Sequence, residues 1–377
     1  MKATVIILCL LNITIFGQEF NSINEADKNP KIVIKLDLSE KDLKTLPSQF
    51  STYVNLEEID LSANPNLDFR HAINILTTNK KLKILHLSGN NLSELPGNIT
   101  NLKKLKEIML DENNFTDIPE SLLELKHLEH ISFFDNKIPK ISLKETDLPN
   151  LESINLCYNN LVNFPTDLSK LKNLKYVIMW YSNVGKISSE IGNFKKIEVL
   201  NLEGNQIENL PSELSELQTL KKISFRNNRL KTEDLSPLWK LKNLEELEIE
   251  RNDIKEIPSE ISQLTKLKRL SIGINPIKTI PTSLSELNNL EQLGLVSLSD
   301  FNWTETFNII SKIKSLRRIG FPSSGLTKMP DGFEKLTQIK TFWINGNAFD
   351  SDEQERLKKL LPNSELEFNS ILFKNLH

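Results

Sequence analysis

Cysteine is almost missing from this chain: there are two in 377 residues, Cys9 and Cys157. Cys9 lies in an N-terminal segment read below as a leader, so one thiol remains in the mature chain. No intramolecular disulfide is then available, even in an oxidising compartment, and stability must come from packing. Histidine is sparse too, with five: His71, His86, His127, His130 and His377. His127 and His130 are close in sequence, but one falls before a strand and the other on it, which argues against a shared metal. No CxxC, HExxH, GxSxG or phosphate loop occurs, and Cys157 has no histidine base in register. Paired acids such as Glu57-Glu58 and Glu245-Glu246 read as solvated surface. The expectation is a protein that is not an enzyme and uses no cofactor. An excess of either charge is also lacking. Forty-seven Lys and Arg oppose 50 Asp and Glu, a net charge of -3, which argues against a nucleic-acid binder and its basic stripe.

Long apolar runs are absent after the first residues, so no membrane span is expected. The exception opens the chain: "MKATVIILCLLNITIFGQEF". Lys2 supplies a positive start, Ala3 to Phe16 is mostly apolar, and Gly17 is a small residue before a cut. This order is that of a secretory signal peptide, too short to span a bilayer comfortably. Residues 1–17 are expected to be removed, leaving a mature chain that starts at or near Gln18 and is secreted, periplasmic or displayed at the cell surface. A lipoprotein route through Cys9 fits less well, because Leu8 is not the small residue such a site prefers. A cytoplasmic home requires that the segment be a buried cap instead.

What the chain has in abundance is repetition. A unit of mostly 23 residues runs "LKILHLSGNNLSELPGNITNLKK" from Leu82 and "LKEIMLDENNFTDIPESLLELKH" from Leu105. Fourteen such units start at Val33, Leu56, Leu82, Leu105, Leu128, Leu151, Leu174, Ile197, Leu220, Leu244, Leu267, Leu290, Leu316 and Ile339. Positions 1, 4 and 6 are mostly Leu, Ile, Val or Phe. Alternation over positions 3 to 7 reads as a short strand with one buried face. Position 9 is Asn in ten units, and an amide that both donates and accepts suits a buried turn. A Leu-Pro or Ile-Pro step, as at Leu95-Pro96 and Ile257-Pro258, fixes the return side, and "PSELSEL"-type stretches give a short helical turn beyond it. The units from Leu56 and Leu290 replace that step with "DFRHAINILTTNKK" and "DFNWTETFNIISKIKS", which read as true helices starting near Asp68 and Asn302.

These motifs resemble the leucine-rich repeat family, in the "LxxLPxxLxxLxxLxxLxLxxN" form of Ras-suppressor-like and disease-resistance-like proteins that exported bacterial proteins also use. The resemblance implies an α/β architecture: a right-handed leucine-rich repeat solenoid with a parallel concave sheet, short helical or irregular convex segments and a C-terminal capping helix. It also implies protein binding as the usual activity. The expected organisation is a cap over 18–32, repeats over 33–350, and a C-terminal cap and tail over 351–377. In "SDEQERLKKLLPNSELEF", Ser351 is the expected N-cap, with Gln354 completing a capping box.

One stretch breaks the alternation. In "KYVIMWYSNV" (175–184), Tyr176, Ile178, Trp180 and Tyr181 occupy positions that are polar or small in neighbouring units. Positions 3, 5, 7 and 8 are expected to face the concave side, so Phe134, Cys157 and Trp180 fall on three adjacent strands, with Tyr158, Tyr176, Ile178 and Tyr181 beside them. Trp and Tyr are favoured at binding hot spots, and a contiguous exposed apolar patch is unusual on a monomer. These seven residues are the expected ligand-binding patch, with Met109, His130 and Trp343 as secondary candidates. Trp343 also reads as a shield over Gly294 and Gly320. The expected partner is a protein or peptide. Carbohydrate or cell-wall binding, an adhesive surface role and self-association remain open, as does an intracellular signalling adaptor if the N-terminus is not a signal.

Overall fold

The computed structural model describes residues 18–298 and 300–369. The expected signal peptide and the end of the tail, from residue 370, lie outside the described residues. Sixteen parallel strands form one open sheet, hydrogen-bonded strictly in sequence order. Neighbours pair in matching register, as in Tyr176↔Val199, Val177↔Leu200 and Ile178↔Asn201. One strand comes from each of the fourteen units. Two more flank them, Gln18–Phe20 and Glu365–Glu367. The result is an α/β solenoid.

The alternation is what closes each turn. Ile154, Val177, Leu200 and Ile223, at position 4 of successive units, are all fully or almost fully buried. They belong to a single apolar core that runs from Ala26 to Leu361. No unit could bury this face alone, so each is stabilised by its neighbours. On the return side, Pro211, Pro258 and Pro281 hold extended backbone ahead of short 3-10 turns at Ser212–Glu216, Ser259–Gln263 and Thr282–Glu286. The two expected helices are present. Phe69–Leu76 is capped by the Asp68 carboxylate, which accepts from the His71 N–H at 2.9 Å. Trp303–Ile310 is capped by Asn302, which accepts from the Glu305 N–H at 3.1 Å.

The ends are tied in by polar contacts. Near the start, the Tyr53 hydroxyl donates to the Asp27 carboxylate, and burial with that neighbour raises the phenol pKa. At the other end, the helix Ser351–Leu360 is capped by Asp350, not Ser351. Asp350 has extended backbone, and its carboxylate accepts from the Glu353 N–H at 2.8 Å. The carboxylate is the better acceptor at the positive helix end. Glu353 instead accepts from the Met329 N–H at 2.7 Å and pairs with Arg356, which stitches the helix to the preceding repeat. The paired acids expected to be solvated are in inter-strand ion pairs: Glu57 with Lys83 at 2.6 Å and Glu245 with Lys268 at 2.8 Å.

Two features repeat through the array. The position-9 asparagines form a buried ladder: Asn205 accepts from Ser182 N–H and Val184 N–H and donates to the carbonyls of Met179, Leu202 and Glu203. The residue just before, position 8, has a positive φ in every one of the fourteen units, whether it is Gly89, Glu112, Tyr158 or Ile274. The chain turns off the sheet there through a left-handed residue, and the ladder satisfies the backbone it exposes.

Candidate ligand-binding surface on the concave face

Position 8 is the natural place for glycine, asparagine or aspartate, because a bulky side chain with positive φ is strained. Tyr158 and Tyr181 sit there at φ 52° and 53° on adjacent strands. Their rings stack, with centroids 5.4 Å apart and planes 10° apart. Trp180 meets Tyr158 edge-on at 5.0 Å, and Phe134 contacts both Tyr158 and Trp180, at 5.3 and 5.8 Å. The four rings form one continuous surface. Tyr158 is 42% exposed, Tyr181 40% and Tyr176 36%, whereas Phe134, Ile178 and Trp180 are half-buried.

Cys157 is corrected by the structure: it is fully buried and is not part of the exposed patch. The cause is the size of its neighbours. Phe134 and Trp180 belong to strands on either side of the Cys157 strand, about 10 Å apart, yet their rings meet at 5.8 Å. They close over the thiol. The whole middle strand, Ser153–Asn155, is likewise buried between larger neighbours. Burial pushes the Cys157 thiol well up from its usual pKa, which removes thiolate character. Its small side chain acts as the spacer that lets the rings touch.

The secondary candidates divide. Met109 and His130 lie on the N-terminal side of the cluster, both half-buried, and the His130 Nδ1 atom is buried without a hydrogen-bond partner among the described residues. Trp343 is seven strands away from the Tyr176–Ile178 strand and does not join the cluster. Its ring lies against Gly320, where an added Cβ would sit 3.3 Å from Cε3, and its N–H donates to Glu367 at 3.1 Å. A groove of about 520 Å³ opens elsewhere, between Pro139–Ile141 and Val162–Asp167. Its carboxylate, Asp167, is already engaged by the Leu143 N–H and Lys170, which makes the groove a seam between repeats.

The cluster separates two electrostatic regions. On its N-terminal side Asp111 accepts from the Ser132 hydroxyl and from the Phe134 N–H at 2.9 Å, bracing the backbone of one ring; burial raises its carboxyl pKa. Further along, His86 and Lys35 flank Glu58 and hold its carboxyl down at about 2, against the opposing effect of burial. On the C-terminal side Arg226 bridges Glu203 at 3.8 Å and Glu250 at 3.3 Å.

Burial pushes Glu250 up to about 7, with Arg226 only partly compensating. A carboxyl whose native pKa exceeds its unfolded value favours the fold when protonated. Its contribution is therefore fullest below the unfolded pKa of 4.5 and declines as pH rises through about 7, by about 3 kcal/mol at the limit. Glu250→Gln is expected to be at least as stable as the wild type at pH 8 and to lose this slope between pH 5 and pH 8. Urea midpoints at both pH values check it, and parallel shifts at the two would refute the assignment.

Tyr181 also rests on the next repeat. A Cβ added to Gly204 would lie 2.6 Å from its ring carbons, and Gly204 has φ +67°. Gly204→Ala is expected to cost about 1–2 kcal/mol, partly from backbone strain and partly from the displaced ring. Thermal melts of Gly204→Ala with and without Tyr181→Asn test this: the second change should recover the part due to the ring.

The comparisons with known proteins bear on the repeat and its fold. The leucine rich repeat family profiles match residues 79–138, 242–297 and 196–217. No curated protein matches the chain. Among solved structures, a leucine-rich repeat protein of Leptospira interrogans is 28% identical, with a TM-score of 0.66 over 93% of this chain and 100% of that one. An internalin of Listeria monocytogenes is 22% identical, with a TM-score of 0.58 over 91% of this chain and 89% of its own. A plant peptide hormone receptor in complex with RGF2 is 23% identical, with a TM-score of 0.59 over 87% of this chain and 57% of its own. The last two likenesses concern the fold alone. Fourteen stacked units, their buried asparagine ladder and these matches together identify the chain as a leucine-rich repeat protein.

Proposed function

We propose that the protein is an exported, non-enzymatic scaffold that binds a protein or peptide on its concave face through the aromatic cluster. The observation that supports this most is the pair Tyr158 and Tyr181. Both are exposed, both occupy left-handed backbone where a bulky residue is costly, and both extend a ring surface already begun by Phe134 and Trp180. The core does not need them, since Ile154 and Leu156 in one unit and Val177 and Met179 in the next supply the inward faces. Aromatic anchors at the centre of a concave surface suit a binding hot spot. The plant receptor that shares this fold was solved with RGF2 bound, which is compatible with a peptide partner here. Export rests on residues 1–17 as read from the sequence. Two experiments test the proposal. The recovered protein should begin at or near Gln18; intact Met1 on protein confined to the cytoplasm would refute export. Peptides selected from a random displayed library on the wild type should mostly lose binding to Trp180→Ala; retention would place the binding site elsewhere.

A further inference from the structure

Resting on that concave-face reading, we propose that the partner is a cationic polypeptide segment: an extended stretch that seats a bulky apolar side chain on the Tyr158–Trp180–Tyr181 surface and places Lys or Arg over Asp135 and Glu112. The geometry lies in one row. At position 8 of four successive strands stand Glu112, Asp135, Tyr158 and Tyr181, all exposed and all with φ between 52° and 53°. The shared backbone conformation points them alike. The row is acidic for two strands and aromatic for the next two, so its polarity changes across one inter-strand step of about 4.8 Å.

The two sides of the aromatic cluster differ in how their charge is balanced. At positions 3, 5, 7 and 8 of the five units from Val33 to Leu128 there are eight carboxylates and one lysine. Among these positions Glu58 pairs with Lys35 at 2.7 Å and His86 at 3.6 Å. On the other side the charges are matched: Lys222 reaches Glu246 at 3.2 Å and Glu248 at 3.5 Å, and Arg226 bridges Glu203 and Glu250. An anionic ligand seated on the rings would be repelled on its N-terminal flank with no compensation opposite, whereas a cationic one is complementary there. Spacing follows from the strands. Asp135 and Tyr181 are two strands apart, about 10 Å, and an extended chain rises about 3.3 Å per residue. Side chains on one face of an extended chain are an even number of residues apart, so the basic and apolar side chains of the partner should be two or four residues apart. A second copy of this array is a poor occupant. The Tyr176–Ile178 strand is eighth of sixteen, at the middle of the concave arc, where an equally curved surface cannot reach.

The test uses a labelled peptide with two adjacent lysines, each four residues ahead of one member of a Leu-Trp pair, and Gly or Ser elsewhere, beside a version with glutamates for the lysines. Fluorescence anisotropy with the purified protein reads both affinities. The lysine peptide is expected to bind at least about tenfold more tightly, with the gap narrowing as salt rises. The double variant Glu112→Gln/Asp135→Asn should collapse the gap, and Trp180→Ala should weaken both peptides. Equal affinities on the wild type, or a gap that survives the double variant, overturns the charge assignment while leaving the concave site intact if Trp180→Ala still weakens binding. Binding untouched by both Trp180→Ala and Tyr181→Asn overturns the site as well. Failure of the lysine peptide to bind up to about 1 mM, or dimerisation or oligosaccharide binding that is lost in Trp180→Ala, also overturns the proposal.

Discussion

Asn205→Ala is expected to lower stability by about 3 kcal/mol, and Ser182→Ala, one rung away, by about 1 kcal/mol. The difference lies in the bonds each side chain makes. Asn205 makes five: it accepts from Ser182 N–H at 3.0 Å and Val184 N–H at 2.9 Å, and donates to Met179 O, Leu202 O and Glu203 O at 2.8, 2.9 and 3.1 Å. Ser182 makes two, donating to Leu156 O at 2.7 Å and Trp180 O at 3.3 Å. Alanine at 205 strands the Ser182 and Val184 N–H groups and the Met179 C=O of the preceding turn, whereas Leu202 O and Glu203 O still accept from Asn228 and from the Tyr181 N–H; the turn is too tightly packed to rebuild around the stranded groups. Each stranded group costs about 1–3 kcal/mol before relaxation or entering water recovers some of it. Because each repeat is held mainly by its neighbours, the loss should also broaden the transition by loosening the array at its middle. Urea denaturation followed by circular dichroism compares the two variants. Equal midpoint shifts would show that the ladder contributes no more at Asn205 than at its interrupted rung.

The strands, their register and the two convex helices were legible because one period repeats fourteen times and each unit must bury the same positions. Asp68 and Asn302 marked the helix starts for a local reason, since both side chains cap their own first turn. Cys157 was misjudged for a reason the period does not contain. Alternation says which way a side chain points, but not that rings two strands apart will close over it. The left-handed backbone at position 8 was hidden by its varied occupants: Gly89, Gly204, Asn227 and Gly346 hint at it, but tyrosine, isoleucine and arginine at the same position in other units mask the pattern. The acidic-to-aromatic row from Glu112 to Tyr181 is visible only once that position is known to share one orientation. The strand Gln18–Phe20 lies ahead of the first unit, where no repeating period marks it. The helix cap moved from Ser351 to Asp350 because two good capping residues are adjacent, and the carboxylate prevails.

Trp180→Ala should separate binding from folding, though less cleanly than an isolated surface residue would. The indole is half-buried and touches Phe134, Tyr158 and Tyr181. Removing it forfeits three ring contacts, each worth about 0.5–1.5 kcal/mol in favourable geometry. It also uncovers the Cys157 thiol beneath. Phe134 and Tyr158 are free to lean inward and recover part of this, so the expected stability loss is about 1–2 kcal/mol, within the range an array of this size absorbs without unfolding. The expected binding loss is larger, about 2–4 kcal/mol, or roughly 30- to 1000-fold in affinity for a ligand of the concave face, because a central aromatic anchor is removed from a desolvated contact. Tyr181→Asn provides the control. Asparagine tolerates left-handed backbone better than tyrosine, so relief of strain offsets the lost stacking with Tyr158 and the fold should be nearly unaffected. The exposed ring is still lost, and binding should weaken by about tenfold. A thermal melt and a binding isotherm on each variant decide the matter. Weakened binding in both variants, with only Trp180→Ala less stable, fits a hot spot built on a packed base. If Tyr181→Asn binds like the wild type while Trp180→Ala melts early and binds poorly, the rings serve packing, and the contact surface lies elsewhere on the arc.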